Sequence, residues 1–499
     1  MCINFLRIKF LCDKLLSSIW ICFLWISFFR IGAVAGAEFI VKDSDEFHQQ
    51  MKVLEPGDVL LLADGKWTDV ELLAKGQGTL ESPITIRARH PGKVILTGNS
   101  RMRISGQHMV VAGIRFNGAW HKTALLEFRE DSKQHSSNCR LTNCEFVDCH
   151  NPPGKNHEFK YLSIYGRNNT VDHCRFSGKA NRGATFVVWL DKNGGGHSIR
   201  QNHFGSRPPL GFNGGETIRV GDSKTSHLSA CCIVEGNLFE RCDGEIEIIS
   251  SKSCDNIYRN NVFLRCSGTL TLRHGHRCRV EQNMFLGENA KGSGGVRVIG
   301  SDHLVMNNYF ERLDGSGYRG ALVLMNGIKN TPANGYQAVQ RARVVHNTFV
   351  DCKQTILVAP DNDRGEQVTP KDCLFWGNGF FSTHGPLIDF REKVEGFRWE
   401  SNLYFGDVEL GMKESNGLRI AKKPLMKRFG KRWALFAESA LINQGSTQEP
   451  TPPTDILGAK RDRFPDIGCM EWPPSDSENW LSGSVGPDWA PVRISGKSK

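Results

Sequence analysis

The chain has 499 residues, of which 39% are apolar and 23% charged. That balance excludes a disordered chain, a collagen-like fibre and a polytopic membrane protein. Its 52 glycines announce many turns, and a net charge of +10 suits an anionic partner without bearing on the fold.

Residues 1–37 read as a secretion signal. Arg7, Lys9 and Lys14 precede an apolar run from Leu15 to Phe29, and Ala35-Gly36-Ala37 is a small-residue cleavage pattern before Glu38. The run falls short of the roughly 20 residues of a membrane span. The alternative is an uncleaved anchor, since Arg30 interrupts the apolar stretch. Cleavage removes Arg7, Lys9, Lys14 and Arg30 against Asp13, leaving +7 of the +10. No later stretch is apolar enough to cross a bilayer as a helix, so the expected location is secreted or periplasmic.

Of the 16 cysteines, Cys2, Cys12 and Cys22 fall in the signal, leaving an odd 13. There is no CxxC pair and no His-x-x-x-His partner, which argues against a zinc site. Cys242, Cys254, Cys266 and Cys278 recur every 12 residues, and buried thiols are expected there rather than bridges.

Residues 38–75 begin with a strand and a short helix, expected to cap the open end of a solenoid. The solenoid itself is visible as a repeat: CRLTNCEF, TVDHCRF, SIRQNHF, IVEGNLF, IYRNNVF, RVEQNMF, LVMNNYF and RVVHNTF. Each segment alternates apolar and polar residues and closes on Phe, at 146, 176, 204, 239, 263, 285, 310 and 349. The spacings are 30, 28, 35, 24, 22, 25 and 39 residues, a short unit with occasional insertions. Alternation makes the unit a strand, and Gly, Asn and Asp supply the corners. The expected fold is all-β, a right-handed single-stranded parallel β-helix with an N-terminal cap helix. The Phe residues should stack inside it, and the Asn ladder should be structural. Parallel β-helix coils are expected over 38–410, C-terminal coils and a closing segment over 411–475, and a tail over 476–499. Residues 421–443 look helical, and Asp466-Ile467-Gly468 should close the body.

Offsets from the closing Phe locate the charges on one lateral face. Asn213 lies 9 residues after Phe204, Glu245 and Glu247 lie 6 and 8 after Phe239, Arg273 lies 10 after Phe263, and Arg319 lies 9 after Phe310. Glu245 and Glu247, two apart, project to one side of a strand, with Ile246 and Ile248 inward. Two adjacent carboxylates with an amide oxygen are hard ligands suited to Ca²⁺, although a solvated acidic pair held by Arg and Lys is the plain alternative. Lys252 follows a break in alternation at Ser250-Ser251; a lysine beside a dication and an arginine can act as a base. His274 and His276 flank the Arg273 coil, where either could be a corner histidine.

NGGETIRVG (213–221), GEIEIISSKS (244–253) and TLRHG (271–275), in this order and spacing, resemble polysaccharide lyase family 6, which contains the alginate lyases and chondroitinase B. The similarity runs from about 38 to about 471. Its specific element is Glu-x-Glu-x4-Lys followed 21 residues later by Arg-His. The resemblance implies a β-helix, with Asn213, Glu245 and Glu247 holding Ca²⁺. It implies Lys252 as catalytic base, Arg273 as acid or electrostatic equivalent, His274 in the active site, and Arg319 in substrate binding. Phe212 departs from the family, which more often has a polar or small residue there.

The implied reaction is β-elimination in a uronate-containing glycan, leaving a 4,5-unsaturated uronate end. The partner is then an anionic polysaccharide, alginate by family base rate or a glycosaminoglycan such as dermatan sulfate. A polyuronate C5-epimerase and a non-catalytic carbohydrate-binding β-helix are the alternatives. A polygalacturonase-type hydrolase lacks its paired Asp residues, and nucleic-acid binding lacks a basic stripe with interleaved aromatics.

Overall fold

The computed structural model describes residues 36–494 apart from 363, 415–416, 431, 447–450 and 475–482. All but the last two residues of the expected secretion signal lie outside the described residues. No helix among those described is long and apolar enough to cross a membrane.

The alternating repeat folds into three parallel sheets of 14, 13 and 14 strands. Successive coils add one strand to each, giving a right-handed parallel β-helix, the hand that parallel crossovers take. In the third sheet Phe116, Phe146, Phe176, Phe204, Phe239, Phe263, Phe285, Phe310, Phe349 and Phe380 stack ring on ring. Neighbouring centroids are 4.5–5.2 Å apart and the planes lie within 3–15° of each other. In-register parallel pairing enforces this, because it sets each Phe directly over its counterpart one coil away.

From Phe204 to Phe380 the asparagine two residues before each stacked Phe makes the bend between the first and third sheets, and Asn402 does so before Tyr404. Asn202, Asn237, Asn261, Asn283, Asn308, Asn347, Asn378 and Asn402 are fully buried. Each amide donates to the Oδ1 of the next at 2.9–3.0 Å, and that Oδ1 also accepts the backbone N–H of the residue that donates to it. The residue before each Asn takes a positive φ, at Gln201, Gly236, Asn260, Gln282, Asn307, His346, Gly377 and Ser401. That left-handed step turns the chain, and the Asn side chain satisfies the polar backbone the turn leaves inside.

The cap helix is Ser44–Gln50. Asp43 accepts from the backbone N–H groups of Asp45 and Glu46, and Phe47 is buried in the core. The 13 described cysteines are all free; Cys231 is exposed and the rest are buried.

Two C-terminal expectations are corrected. The described residues of 421–443 hold no helix: Lys427–Phe429 and Arg432–Ala434 form an antiparallel hairpin. Its Trp433 packs against Phe381 on the outer side of the third sheet, so tertiary packing overrides local propensity. The final segment, expected as a tail, holds a second hairpin, Gly483–Val485 with Val492–Ile494. It returns to the early coils, where Trp489 Nε1 donates to the Asn143 carbonyl at 3.0 Å and Asp488 pairs with the Asn143 amide.

Asp466-Ile467-Gly468 docks as expected, with Ile467 buried and Gly468 N–H donating to the Gly377 carbonyl. Burial, reinforced by the Glu471 charge, pushes the Asp466 carboxyl up to about 7 from an ordinary 3.8. A carboxyl raised in the folded state contributes stability that is complete below about pH 4 and is lost as pH rises through about 7. Asp466→Asn should therefore flatten part of the fall in melting temperature between about pH 4 and 7. Identical slopes for the two proteins would remove Asp466 from this role.

Candidate active site

The candidate residues meet on the second sheet, in the coils of Ile218–Val220, Glu247–Lys252, Gly268–His274 and Ser293–Val298. Glu247 and Lys252 are five apart, and a regular strand would point them to opposite faces. A register irregularity between Glu247 and Ile249 resets the phase, with Ile248 as the extra residue. Ile248 is buried as expected, whereas Ile246 is only half-buried. A second irregularity leaves Arg273 as the extra residue opposite the Ser251–Lys252 step and pairs Lys252 with His274. The two bulges thus gather Glu247, Lys252, Arg273 and His274.

His274 is buried, and its imidazole is driven down to about 3 by that burial and then by the charges of Arg273 and Lys252. It is therefore neutral at ordinary pH, between two cations. Its Nδ1 lies 3.4 Å from an Arg273 terminal nitrogen, which also faces the Gly335 carbonyl at 3.4 Å. The Tyr336 ring covers the guanidinium at 4.3 Å, and Arg364 lies over the same ring at 5.5 Å.

On the acidic side, Asn213 is exposed in the loop before Ile218–Val220, and the neighbouring Gly214 N–H donates to Glu245 Oε2 at 3.1 Å. Burial, then the charges of Glu216 and Glu247, push the Glu245 carboxyl up to about 7. Glu216 is 4% exposed and its Oε2 has no hydrogen-bond partner. Glu247 is held by Arg297 at 2.5 Å, by Arg273 at 3.7 Å and by the Ser250 hydroxyl.

The donor chemistry suits a hard cation: two carboxylates, an amide oxygen on the exposed side, and crowded negative charge at Glu245 that a cation would relieve. Among the described residues, no group of three His, Cys, Asp or Glu side chains is arranged to hold a metal. Of the anticipated acids, Glu247 turns toward arginine and Glu245 toward the Asn213 loop.

Arg319 ends the 3-10 turn Gly317–Arg319, where burial and then the charge of Arg297 lower its pKa, and its Nε has no partner. His276 sits apart at a corner, where its Nδ1 accepts the Ser301 N–H. Phe212 is 58% exposed at the lip of the site, with Arg182 over its ring at 5.7 Å.

The structure adds residues that the spacing argument missed. Arg219, Ser250, Thr271 and Arg297 occupy one continuous row across the coils. Arg219 and Glu216 stood inside the motif NGGETIRVG, where outward alternation with Thr217 could have marked Arg219. Tyr336 and Arg364 come from insertions braced by the antiparallel pair Gly327–Ile328 and Gln367–Val368. The 39-residue spacing announced one insertion but not its destination. The assembled face carries Arg219, Lys252, Arg273, Arg297, Arg319 and Arg364, a concentration of positive charge suited to an acidic polymer.

The family profile described as Chondroitinase B matches residues 41–388. A solved PL6 family alginate lyase, AlyGC, is similar at 33% identity and TM-score 0.77 over 89% of this chain and 60% of its own, so the chain spans about 60% of that protein's length. A mannuronic acid specific family 6 lyase from human gut microbiota shares 30% identity over 78% of this chain and 92% of its own, TM-score 0.71. The family 6 polysaccharide lyase of Pseudopedobacter saltans shares 27% identity over 78% and 97%, TM-score 0.65. A comparison with curated protein sequences found no match.

Proposed function

We propose, for a chain that belongs to polysaccharide lyase family 6, that it is a secreted lyase cleaving 4-linked uronate polysaccharides by β-elimination. Alginate is the favoured substrate, because the two relatives above that share at least 30% identity carry the names alginate lyase and mannuronic acid specific lyase. The observation that supports this reading is the gathering of Lys252, the Arg273–His274 pair and the Glu245–Glu247 carboxylates on one arginine-rich face of the second sheet.

The C5 proton of a uronate is weakly acidic because the adjacent carboxylate is already negative. Asn213, Glu245 and Glu247 are the residues that would hold Ca²⁺, with Glu216 beside them. When bound, the ion neutralises the substrate carboxylate next to C5. Lys252 acts as the base that takes the C5 proton. Arg273 faces the departing glycosidic oxygen and offsets or protonates its charge. Neutral His274 accepts from Arg273 and orients it without adding a third positive charge. Arg319 binds a carboxylate of the chain. Elimination consumes no water and leaves a 4,5-unsaturated uronate at the new non-reducing end.

The test is ultraviolet absorbance of the mature protein with alginate and, separately, dermatan sulfate, each with Ca²⁺ and with chelator. The expected result is a rise on alginate that chelator abolishes. A rise on dermatan sulfate alone moves the substrate to the chondroitinase B type. Altered uronate stereochemistry without absorbance would make the protein an epimerase. No change in either polymer would overturn the enzyme reading.

A further inference from the structure

A second row of side chains on the same sheet leads into the site from the N-terminal coils. Glu127 pairs with Ser163, Ser163 with Val187, and Val187 with Arg219. Two residues further along each strand, this register aligns Arg129, Tyr165, Trp189 and Gly221. One coil on, Val220 pairs with Ser251, which brings Gly221 alongside Lys252. Trp189 and Lys252 are therefore two coils apart on one row, separated by a residue without a side chain.

The contacts along this row form a sandwich. The Arg129 guanidinium lies 4.0 Å from the Tyr165 ring centroid. Tyr165 stacks on Trp189 at 6.0 Å and 11°. Arg219, on the neighbouring row, reaches the Trp189 ring at 4.9 Å. The indole cannot rotate freely, because Trp189 Nε1 donates to Ser163 Oγ at 3.2 Å. At the far end Arg129 is tied to Glu127 at 2.8 Å. Arg219 differs: no carboxylate among the described residues lies within ion-pair distance of it, and its Nε has no partner. A partly buried guanidinium without an acid is costly unless a ligand completes it. The aromatic face supplies part of the compensation and fixes the geometry.

We propose that Tyr165 and Trp189 are positioning residues, a locked two-ring stack that holds the Arg219 guanidinium one coil from Lys252 as the seat for a carboxylate on the sugar unit flanking the cleaved one. The proposal rests on the polyuronate lyase reading above and adds a device for holding the chain in register. A flexible arginine would lose rotamer freedom on meeting the substrate, whereas one already stacked loses little. Because the seat binds a flanking unit equally before and during elimination, it acts on KM and leaves kcat nearly unchanged.

The test is a double-mutant cycle on the full chain with polymannuronate, comparing the wild type with Trp189→Leu, Arg219→Ala, both together, and Trp189→Phe. Trp189→Leu should raise KM by about tenfold with kcat within about twofold, and Trp189→Phe should restore most of the loss. The double variant should be no worse than Arg219→Ala alone, the signature of two residues acting through one contact. Additive losses, an unchanged KM in Trp189→Leu, or a loss in kcat accompanied by a lower melting temperature would each overturn the proposal. Retardation of each protein in a polymannuronate-containing native gel separates the two readings. A wild type that neither binds nor cleaves uronate polymer overturns the lyase reading and this proposal together. A wild type that does both, with an additive cycle, overturns the proposal alone.

Discussion

Lys252→Ala is expected to lower the rate of unsaturated-uronate formation by about a thousandfold, in the range that loss of a general base produces. Lys252 ends its strand half-exposed, so its removal opens no core cavity and the melting temperature should move little. Arg273→Ala should also cost activity heavily, because its guanidinium is fixed by Tyr336, Glu247 and His274 rather than free to be replaced by solvent. The measurement is initial rate by absorbance, with far-ultraviolet circular dichroism as the fold control. A folded Lys252→Ala protein with more than about a tenth of wild-type rate would reassign the base.

The largest stability effect is expected at the asparagine ladder. Asn283 donates to the Tyr258 carbonyl at 2.9 Å and to Asn308 Oδ1 at 3.0 Å, and its own oxygen accepts the Asn261 backbone and amide N–H groups at 3.0 Å. Asn283→Ala strands several of these partners in a fully buried bend. With each orphaned buried group costing about 1–3 kcal/mol, the loss should total about 3–5 kcal/mol. The left-handed step at Gln282 would remain without the amide that satisfies it. Chemical denaturation should show a large drop in midpoint. A change below about 1 kcal/mol would mean that water enters the bend and replaces the amide.

The repeat was legible because its physics is local. The coils from Phe204 to Phe380 each bury a Phe and turn at an Asn, so each carries both, and parallel stacking copies the pattern along the axis. The caps and insertions obey no such period. Residues 421–443 looked helical on local preference but were captured by the outer surface of the third sheet. The stretch 483–494 folds back onto coils more than 300 residues earlier in the chain, with Asp488 meeting Asn143, a contact that no local pattern encodes.

The site divides along the same line. Asn213, Glu245, Glu247, Arg273 and Arg319 could be aligned on one face from the sequence, because the distance from each closing Phe sets a position around the coil. By itself the sequence determined the solenoid, its internal Phe and Asn stacks, and the face that carries the charged residues. Only the tertiary structure decided which charges meet. The bulges at Ile248 and Arg273 bring Lys252 to the side of Glu247, against simple alternation. Arg297 takes hold of Glu247 from two coils away, and Tyr336 arrives from an insertion to cover Arg273. Arg129, Tyr165, Trp189 and Arg219 lie 24 to 36 residues apart in the chain but about 4.8 Å apart from coil to coil. Periodicity specifies the rotation of a side chain about the axis. Contact between coils depends on register, and register is settled by the hydrogen-bond ladders and bulges that form only when the coils stack.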